Sequence, residues 1–366
     1  MLKYCAENEG VKRQYAFHLE AVNGKQNASI DAALKALDRF ETSTNRKPFR
    51  KFHVEQARAF RTRLVEAKGV SGKPLSAATI TSTLKHIRNF FLWLSREPGF
   101  RKALNANDAN YFTPSDQDIR IASAHREQPF ATLDEIRRVL AMMPSSTHVE
   151  KRNRAIIAFA ILSIARIGAL ASFKLRHVNL TEKLIFQDGR MVRTKGRKTF
   201  ESDFYPVGPE PLAIFTDYLT MLKGELGFGP DDPLFPATRI GHDLDKGFQS
   251  QGLMRQPWST TAPIRNIFRK AFAAASLPYP IPHSLRRTMA LHMDTLNLTL
   301  LQEKAFSLGF GHDDVRTTRQ SYGPLPAHQR RAIMQGFWDR KNEPAGGDFL
   351  QEMQALLNRQ KASPTG

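Results

Sequence analysis

The sequence predicts a mainly α-helical fold with a small antiparallel β-sheet, divided into two domains. At 366 residues the chain is long enough for each domain to bury its own core. Apolar residues recur at helical spacing along most of the chain, whereas three short strand-like runs separated by turn residues lie near its middle. Hydrophobic residues make up 41% of the composition, as in ordinary globular proteins.

The charge of the chain is strongly basic. Lys and Arg total 54 against 35 Asp and Glu, which gives a formal charge of +19. The excess is densest between Gly24 and Leu104, where 17 basic residues face 6 acidic ones. Such an excess favours a polyanionic partner. A solvated surface that only aids solubility is the alternative.

Cysteine content and apolar runs limit the cellular context. Cys5 is the only cysteine, which excludes a disulfide framework and a thiolate zinc site. The first residues lack the basic-then-apolar pattern of a signal peptide, and the longest nearly unbroken apolar run, Ala155 to Ala165, is too short to span a bilayer. We expect a cytoplasmic protein with no membrane role.

The N-terminal part is predicted to be a polar extension followed by a small basic helical domain. Residues 1–23 are polar with scattered charge, and the sequence leaves their structure open. Residues 24–127 carry three amphipathic patterns, and Ser76 is the expected N-cap of the third. The apolar positions are Ile30, Ala33, Leu34, Leu37 and Phe40, then Val54, Ala57, Phe60 and Leu64, then Ile80, Leu84, Ile87, Phe91 and Leu94.

A boundary is predicted near residue 128. The stretch from Asn105 to Phe130 has little periodicity and is interpreted as a linker or a loosely packed connection. Thr132 followed by Glu135 is a capping-box pattern that begins the first helix of a second domain, residues 128–340. Residues 341–366 form a tail.

The second domain is predicted to be mainly helical with one small sheet. Asn153 to Ile164 is apolar on nearly all sides, as expected for a buried helix, and Arg166 follows it. The strand-like runs predict an antiparallel meander with Lys195 at a hairpin tip. These runs are Leu184 to Phe186, Met191 to Thr194 and Thr199 to Val207; further helices are predicted at Leu212 to Leu222, at Ile264 to Phe272, after His283 and on either side of His312.

Five polar motifs follow one another through this domain. Each is weak evidence alone, because Arg, Lys, His and Tyr at such positions usually have structural roles. Their order is informative. In chain order the motifs are Ala165-Arg166-Ile167-Gly168, Thr194-Lys195-Gly196-Arg197-Lys198, Pro282-His283-Ser284-Leu285-Arg286-Arg287-Thr288, Leu308-Gly309-Phe310-Gly311-His312, and Thr317-Thr318 with Ser321-Tyr322-Gly323.

This series resembles the tyrosine recombinase (phage integrase) family, whose members carry these five elements in the same order. The resemblance extends to the first domain, where Pro74-Leu75-Ser76 and Phe91-Leu92-Trp93-Leu94 are similar to the helical core-binding, SAM-like domain of the family. It implies a core-binding domain followed by an α+β catalytic domain, arranged as a C-shaped clamp on double-stranded DNA. The implied activity is site-specific DNA recombination or integration, as in mobile elements.

The residue types suit that chemistry. Attack on a phosphodiester builds negative charge on the non-bridging oxygens, and planar, permanently charged guanidinium groups are well suited to hold them. Arg166 and Arg286 are therefore the expected phosphate clamp. His283 is expected to position the phosphate and handle the tyrosine proton, and His312 to donate a hydrogen bond to the phosphate.

The remaining roles belong to a lysine and a tyrosine. Lys195 is the expected general acid for the leaving 5′ oxygen, with Lys198 as its rival. Tyr322 is the expected nucleophile, because a phosphotyrosine ester conserves the energy of the broken bond. The resemblance implies a 3′-phosphotyrosine intermediate and a free 5′ hydroxyl, with neither ATP nor a metal or other cofactor.

Three positions depart from the family pattern. Ala169 stands where many members carry an acidic residue three positions after the first Arg, and Arg287 stands where a His often follows the second Arg. The ten-residue gap from His312 to Tyr322 is one longer than in many relatives. None of these changes removes a residue assigned to the chemistry.

DNA contacts and assembly are also predicted. Arg58, Arg61, Lys85 and Arg88 are the candidate DNA-binding residues of the first domain. In the tail, apolar residues at helical spacing predict a short amphipathic helix: Phe349, Met353, Leu356 and Leu357. Relatives dock such a tail on a neighbouring subunit, which implies a homotetramer on two DNA sites; packing on its own domain is the alternative.

Other functions are compatible with the same residues. A type IB topoisomerase or a telomere resolvase uses similar residues, and a DNA-binding regulator could keep the fold without activity. Metal-dependent nucleases and transposases form a further class, but no acidic cluster in the sequence has the spacing of such a site.

Overall fold

The computed structural model describes residues 4–25, 27–69, 71–123, 129–243, 247–312, 314–322, 330–332 and 334–335. The chain divides into two compact units, residues 1–126 and 127–366. The described parts of both units are mainly helical, with small antiparallel sheets in the second unit. The predicted fold class is therefore confirmed. Within these ranges, no helix has both the length and the apolar character needed to cross a membrane.

The first unit is a helical bundle. Its α-helices are α1 (Ala6–Ala21), α2 (Asn27–Ser43), α3 (Val54–Glu66), α4 (Ala77–Leu94) and α5 (Asp116–Ser123), with short 3-10 helices at Phe49–Lys51 and Ala106–Phe112. The three amphipathic helices predicted in this region are confirmed as α2, α3 and α4. Ser76 caps α4 as expected, since its hydroxyl accepts a hydrogen bond from the Thr79 amide at 3.2 Å.

Aromatic side chains fill the core of the first unit. The Phe91 ring stacks on Phe52 with 4.0 Å between centroids and lies parallel to Phe112 at 5.7 Å. Because Phe112 is fully buried in this cluster, the interpretation of the stretch as a linker or a loosely packed connection was wrong for Asn105 to Phe112. The short helix Ala106–Phe112 is anchored by aromatic partners that are distant in sequence, and periodicity does not detect such contacts.

The N-terminal segment, whose structure the sequence left open, contributes to the same core. Helix α1 buries Val11, Tyr15 and Leu19. The amide nitrogen of Asn8 donates to the buried carboxylate of Glu41 at 2.9 Å, and its oxygen accepts from the backbone of Phe49 at 2.9 Å. These bonds tie α1 to α2 and to the first 3-10 helix.

The second unit combines helices with two small sheets. Its elements are α6 (Leu133–Met142), α7 (His148–Ser163), α8 (Ile167–Leu170), β1 (Val178–Asn179), β2 (Leu184–Gln187), β3 (Phe200–Asp203), α9 (Pro209–Thr220), continued by a π-helical turn at Met221–Glu225, β4 (Thr238–Asp243), β5 (Gly247–Leu253), α10 (Ala262–Ala274), α11 (Leu285–Asp294), α12 (Leu300–Gly309) and α13 (Val315–Tyr322).

Helix α7 is the centre of this unit. Every residue from Ala155 to Ser163 is buried, as the apolar sequence predicted. The predicted capping box of α6 is also confirmed, because the Thr132 amide donates to Glu135 at 2.8 Å and the Glu135 amide donates to the Thr132 hydroxyl at 3.2 Å.

The first sheet is an antiparallel meander in the order β1-β2-β3, and it differs from the prediction in one strand. Met191 to Thr194 is not a strand, because local hydrogen bonds hold a turn there: the Val192 amide donates to the Asp188 carbonyl at 2.7 Å, and the Asp188 carboxylate accepts from Arg190. Strand β1, which was not predicted, completes the three-stranded sheet instead. The hairpin of β4 and β5 was not predicted.

Candidate active site

Arg286 connects three segments of the second unit. It lies on the first turn of α11, is only 3% exposed, and donates from Nη1 to the Ile164 carbonyl at 2.7 Å and from Nη2 to the Phe310 carbonyl at 2.5 Å. Its guanidinium carbon is also 4.8 Å from the centroid of the Phe310 ring. One buried cation thus joins the end of α7, the start of α11 and the end of α12.

The turn that ends α7 also positions Arg166. Ile164 ends α7 in the left-handed region with φ 43°, and two residues later Arg166 is the N-cap of α8 with extended backbone. The side chain is partly exposed, and the described residues offer its guanidinium no hydrogen-bond acceptor. Its charge acts on both His283 and His312, so the three side chains share one neighbourhood.

His283 precedes α11 in the 3-10 helix Pro282–Ser284. Desolvation, followed by the positive charges of Arg286, Arg166 and Lys195, lowers its pKa to about 4, although part of the ring remains exposed. At neutral pH the imidazole is therefore uncharged and able to accept a proton.

His312 follows α12 and is nearly buried, with 9% exposure. Desolvation lowers its pKa to about 4, and the positive charges of Arg286, Arg166, Lys198 and Lys195 add to this effect. Four cations around two neutral histidines make a strongly electropositive site that suits a phosphate group.

A hydroxyl pair holds the buried side of His312. Its Nδ1 lies 2.9 Å from the Thr318 hydroxyl on α13, which in turn lies 2.6 Å from the Ser307 hydroxyl on α12. Sequence analysis included Thr318 only as part of the last motif and missed Ser307. The available signal was the Thr317-Thr318 pair between His312 and Tyr322.

Both candidate lysines lie in the connection between β2 and β3. Lys195 is exposed on the short helix Lys195–Arg197, whereas Lys198 is half-buried and its ammonium donates to the Gly311 carbonyl at 3.2 Å. Gly311 has φ 71°, and this backbone turn leads directly into His312. The connection thus brings both ammonium groups to the electropositive site.

Tyr322 is the last residue of α13, one helical turn after Thr318. The position of its side chain lies outside what the structure describes, as does the whole of the predicted tail helix in residues 341–366. The structure therefore places five predicted site residues in one neighbourhood: Arg166, Lys195, His283, Arg286 and His312. The backbone of Tyr322 lies on α13, which packs against α11 and α12.

Two family departures have structural explanations. Arg287 is 6% exposed with its guanidinium 4.9 Å from the Phe130 ring centroid, and the neighbouring Thr288 hydroxyl donates to the Ala131 carbonyl at 2.5 Å. These contacts fasten the segment before α6 onto α11. Ala169 is buried in α8, where a small apolar side chain packs against the core.

The candidate DNA-binding residues of the first unit differ in their contacts. Arg58 pairs with Glu55 at 2.8 Å, Arg61 donates to the Thr113 carbonyl at 2.9 Å, and Arg88 donates to the Asn110 side chain at 3.0 Å. Lys85 is exposed on α4. The last two arginine contacts hold the segment that contains the short helix Ala106–Phe112, whereas Lys85 faces solvent.

Comparisons with known proteins identify related sequences. The phage integrase family model matches residues 129–326, which is more than half of the chain. A tyrosine recombinase XerC of Lactobacillus delbrueckii subsp. bulgaricus is 24% identical over 257 residues, covering 68% of this chain and 73% of that protein. A tyrosine recombinase XerC of Lactobacillus leichmannii has the same identity and coverage.

Solved structures show the same fold. A lambda integrase dimer bound to a COC′ core site has a TM-score of 0.58 at 16% identity, covering 86% of this chain and 95% of that one. The Tn1549 transposon integrase in complex with transposon right end DNA has a TM-score of 0.53 at 14% identity, covering 89% and 99%. The family match includes every motif from Arg166 to Tyr322. The chain belongs to the phage integrase family, the tyrosine site-specific recombinases.

Proposed function

We propose that this protein cuts and rejoins DNA at specific sites through a covalent bond between Tyr322 and a 3′ phosphate. The observation that carries the proposal is the pair of hydrogen bonds from Arg286 to Ile164 and Phe310, since they join the turns that lead to Arg166 and His312. A site assembled in this way presents fixed positive charge to one phosphate.

The two arginines have complementary tasks. Arg286 donates from Nη1 and Nη2 to hold the site together and contributes its charge to the phosphate. Arg166 is the more exposed guanidinium and is suited to direct bidentate contact with the non-bridging oxygens. His312 donates a further hydrogen bond to one of these oxygens.

In the cleavage step, the Tyr322 phenol oxygen attacks phosphorus, and the bond from phosphorus to the 5′ oxygen breaks. His283, which is neutral at pH 7, accepts the phenol proton, and the Lys195 ammonium donates a proton to the leaving 5′ oxygen. Attack by a 5′ hydroxyl on the phosphotyrosine reverses the step and seals a strand. The bond energy is retained, so neither ATP nor a metal enters the proposed reaction.

A nicked suicide substrate tests the proposal, because loss of a short 5′ fragment traps the covalent protein–DNA adduct. We expect the full chain to form this adduct in excess EDTA and Tyr322→Phe to form none. An adduct that persists in Tyr322→Phe would refute the assignment of Tyr322 as the nucleophile. Loss of activity with EDTA would refute a reaction without metal. Relaxation of supercoiled DNA that lacks specific sites would indicate a topoisomerase instead.

DNA binding and assembly complete the proposal. We infer that residues 24–127 and 128–340 both contact the duplex through Lys and Arg, so affinity should fall steeply with salt. A lambda integrase tetramer bound to a Holliday junction has a TM-score of 0.55 at 16% identity, covering 84% of this chain and 79% of that one. We propose a homotetramer on two DNA sites; deleting residues 345–366 should weaken recombination more than single-site binding, and equal losses would contradict this role of the tail.

A further inference from the structure

We infer that Thr318 is a positioning residue that selects the tautomer of His312 and links its orientation to the docking of α13, the helix that ends at Tyr322. This inference rests on the proposed function, because it concerns the same phosphate site. It assigns a task to a side chain that none of the roles above includes.

The geometry supporting the inference is a three-member hydrogen-bond chain. Thr318 on α13 lies 2.9 Å from Nδ1 of His312 and 2.6 Å from the hydroxyl of Ser307 on α12. Thr318 is fully buried, Ser307 is 1% exposed and His312 is 9% exposed. Buried polar groups of this kind are costly unless they are hydrogen-bonded, so the chain has a well-defined arrangement.

Counting hydrogens leaves two arrangements in which the Thr318 hydrogen lies within the chain. Each hydroxyl has one hydrogen, and a neutral imidazole has one N–H. If Ser307 donates to Thr318 and Thr318 donates to Nδ1, the imidazole hydrogen is on Nε2. If the chain runs the other way, Nδ1 carries the hydrogen and Nε2 is an acceptor.

A phosphate oxygen only accepts hydrogen bonds, so it selects the first arrangement. His312 can donate to the phosphate only when its hydrogen is on Nε2, and the Thr318 hydroxyl favours that form by donating to Nδ1. Desolvation and the surrounding cations lower the pKa of His312 and so disfavour an imidazolium with hydrogens on both nitrogens, which leaves the choice between the two neutral tautomers to the hydrogen bonds.

The same hydroxyl links His312 to α13. Thr318 is one helical turn before Tyr322, and its contact with Ser307 forms only when α13 lies against α12. On the other side, the Lys198 ammonium holds the Gly311 carbonyl, which fixes the backbone that enters His312. Docking of the helix that carries the nucleophile therefore orients a phosphate ligand at the same time.

The test uses the full chain with Thr318→Val, which keeps the branched shape and removes the hydroxyl, and Thr318→Ser, which keeps the hydroxyl. Thr317→Val is the matched control, because Thr317 is the exposed neighbour on the same helix. Two readouts are needed: the single-turnover cleavage rate on the suicide substrate and the nitrogen chemical shifts of the His312 ring, which report its tautomer.

We expect Thr318→Val to slow cleavage about 10- to 100-fold, the size of effect known for hydrogen-bond partners that orient metal-binding histidines. DNA affinity should not change, and the His312 ring should become a mixture of tautomers. Thr318→Ser and Thr317→Val should match the wild type. In a His312→Gln background, Thr318→Val should cause no further loss, because the two residues act as one unit.

The inference is overturned if Thr318→Val keeps the Nε2–H tautomer, or if it slows cleavage equally in the wild-type and His312→Gln backgrounds. Should Thr318→Val fail to fold, Ser307→Ala tests the same chain, and an unchanged tautomer there also overturns the inference. The ring spectrum requires no cleavage. A wild type that forms no covalent adduct would thus refute the proposed function, while the spectrum still decides the role of Thr318.

Discussion

Arg286 donates a hydrogen bond of 2.7 Å to the carbonyl oxygen of Ile164, a residue 122 positions earlier in the chain. Ile164 has the left-handed backbone that ends α7 and leads into Arg166. The guanidinium of Arg286 therefore stabilises the turn that presents the other arginine, in addition to supplying charge. The two arginines are expected to differ in their effect on stability.

Arg286→Gln should lower the free energy of unfolding by about 2 to 4 kcal/mol, because two buried carbonyls lose a charged donor. Arg166→Gln should lower it by less than about 0.5 kcal/mol, since the side chain is partly exposed and makes no such bond within the described residues. Both variants should lose covalent adduct formation. Urea unfolding and suicide-substrate assays measure the two effects, and equal stability losses would contradict this division of tasks.

A substrate with a different leaving group can distinguish the role of Lys195 from that of Lys198. Lys195→Ala should slow cleavage of ordinary DNA about 10²- to 10⁴-fold, because the 5′ oxygen then leaves without a proton. A substrate with sulfur in the 5′ bridging position should restore the rate, since a thiolate leaves without protonation.

Lys198→Ala is the matched variant for this experiment. It should not be rescued by sulfur, because the structure shows the Lys198 ammonium bonded to the Gly311 carbonyl. Rescue of Lys198→Ala, with none for Lys195→Ala, would assign the general acid to Lys198.

The lowered pKa of His283 predicts a pH dependence of stability. The group has its ordinary pKa of 6.5 in the unfolded chain and about 4 in the folded one. Between these values the unfolded chain binds more protons, so the free energy of unfolding falls as the pH is lowered from 6.5 towards 4. The loss of urea stability between pH 7 and pH 5 should be smaller in His283→Gln than in the wild type. A loss of equal size would show that the histidine does not titrate in this way.

Gly311 should tolerate no side chain. Its φ is 71°, and a Cβ there would lie 2.6 Å from the Phe200 ring. Gly311→Ala should therefore lower the free energy of unfolding by about 1 to 3 kcal/mol and displace His312, reducing cleavage. Gly224→Ala is the control, because it has open space and no positive φ. The test is to compare the melting temperatures of the two variants in thermal unfolding. Similar melting temperatures would contradict the packing argument.

Local patterns in the sequence predicted the elements that local interactions determine. The capping box of Thr132 and Glu135 marks the start of α6 because both partners lie within one turn, and the apolar stretch of α7 can only be buried. The hairpin of β4 and β5 was missed because its strands are polar and rich in Gly, without the alternation of apolar residues that indicates a half-buried strand.

In the site as well, the sequence predicted some relationships, and others depend on tertiary packing. The order of the motifs predicted a common neighbourhood for Arg166, His283 and His312, and the electrostatic interactions of the two histidines are consistent with it. The contact of Ser307 with Thr318 could not be predicted, because it depends on how α12 packs against α13. Likewise, only the fold shows that Arg286 bonds to the Ile164 carbonyl.

The most direct measurement is the identity of the residue joined to DNA. The trapped adduct would be digested with protease and nuclease, and the peptide that keeps a nucleotide would be sequenced by mass spectrometry. Our account predicts a single modified residue, Tyr322, linked to a 3′ phosphate. A nucleotide on any other residue, or a link to a 5′ phosphate, would contradict it.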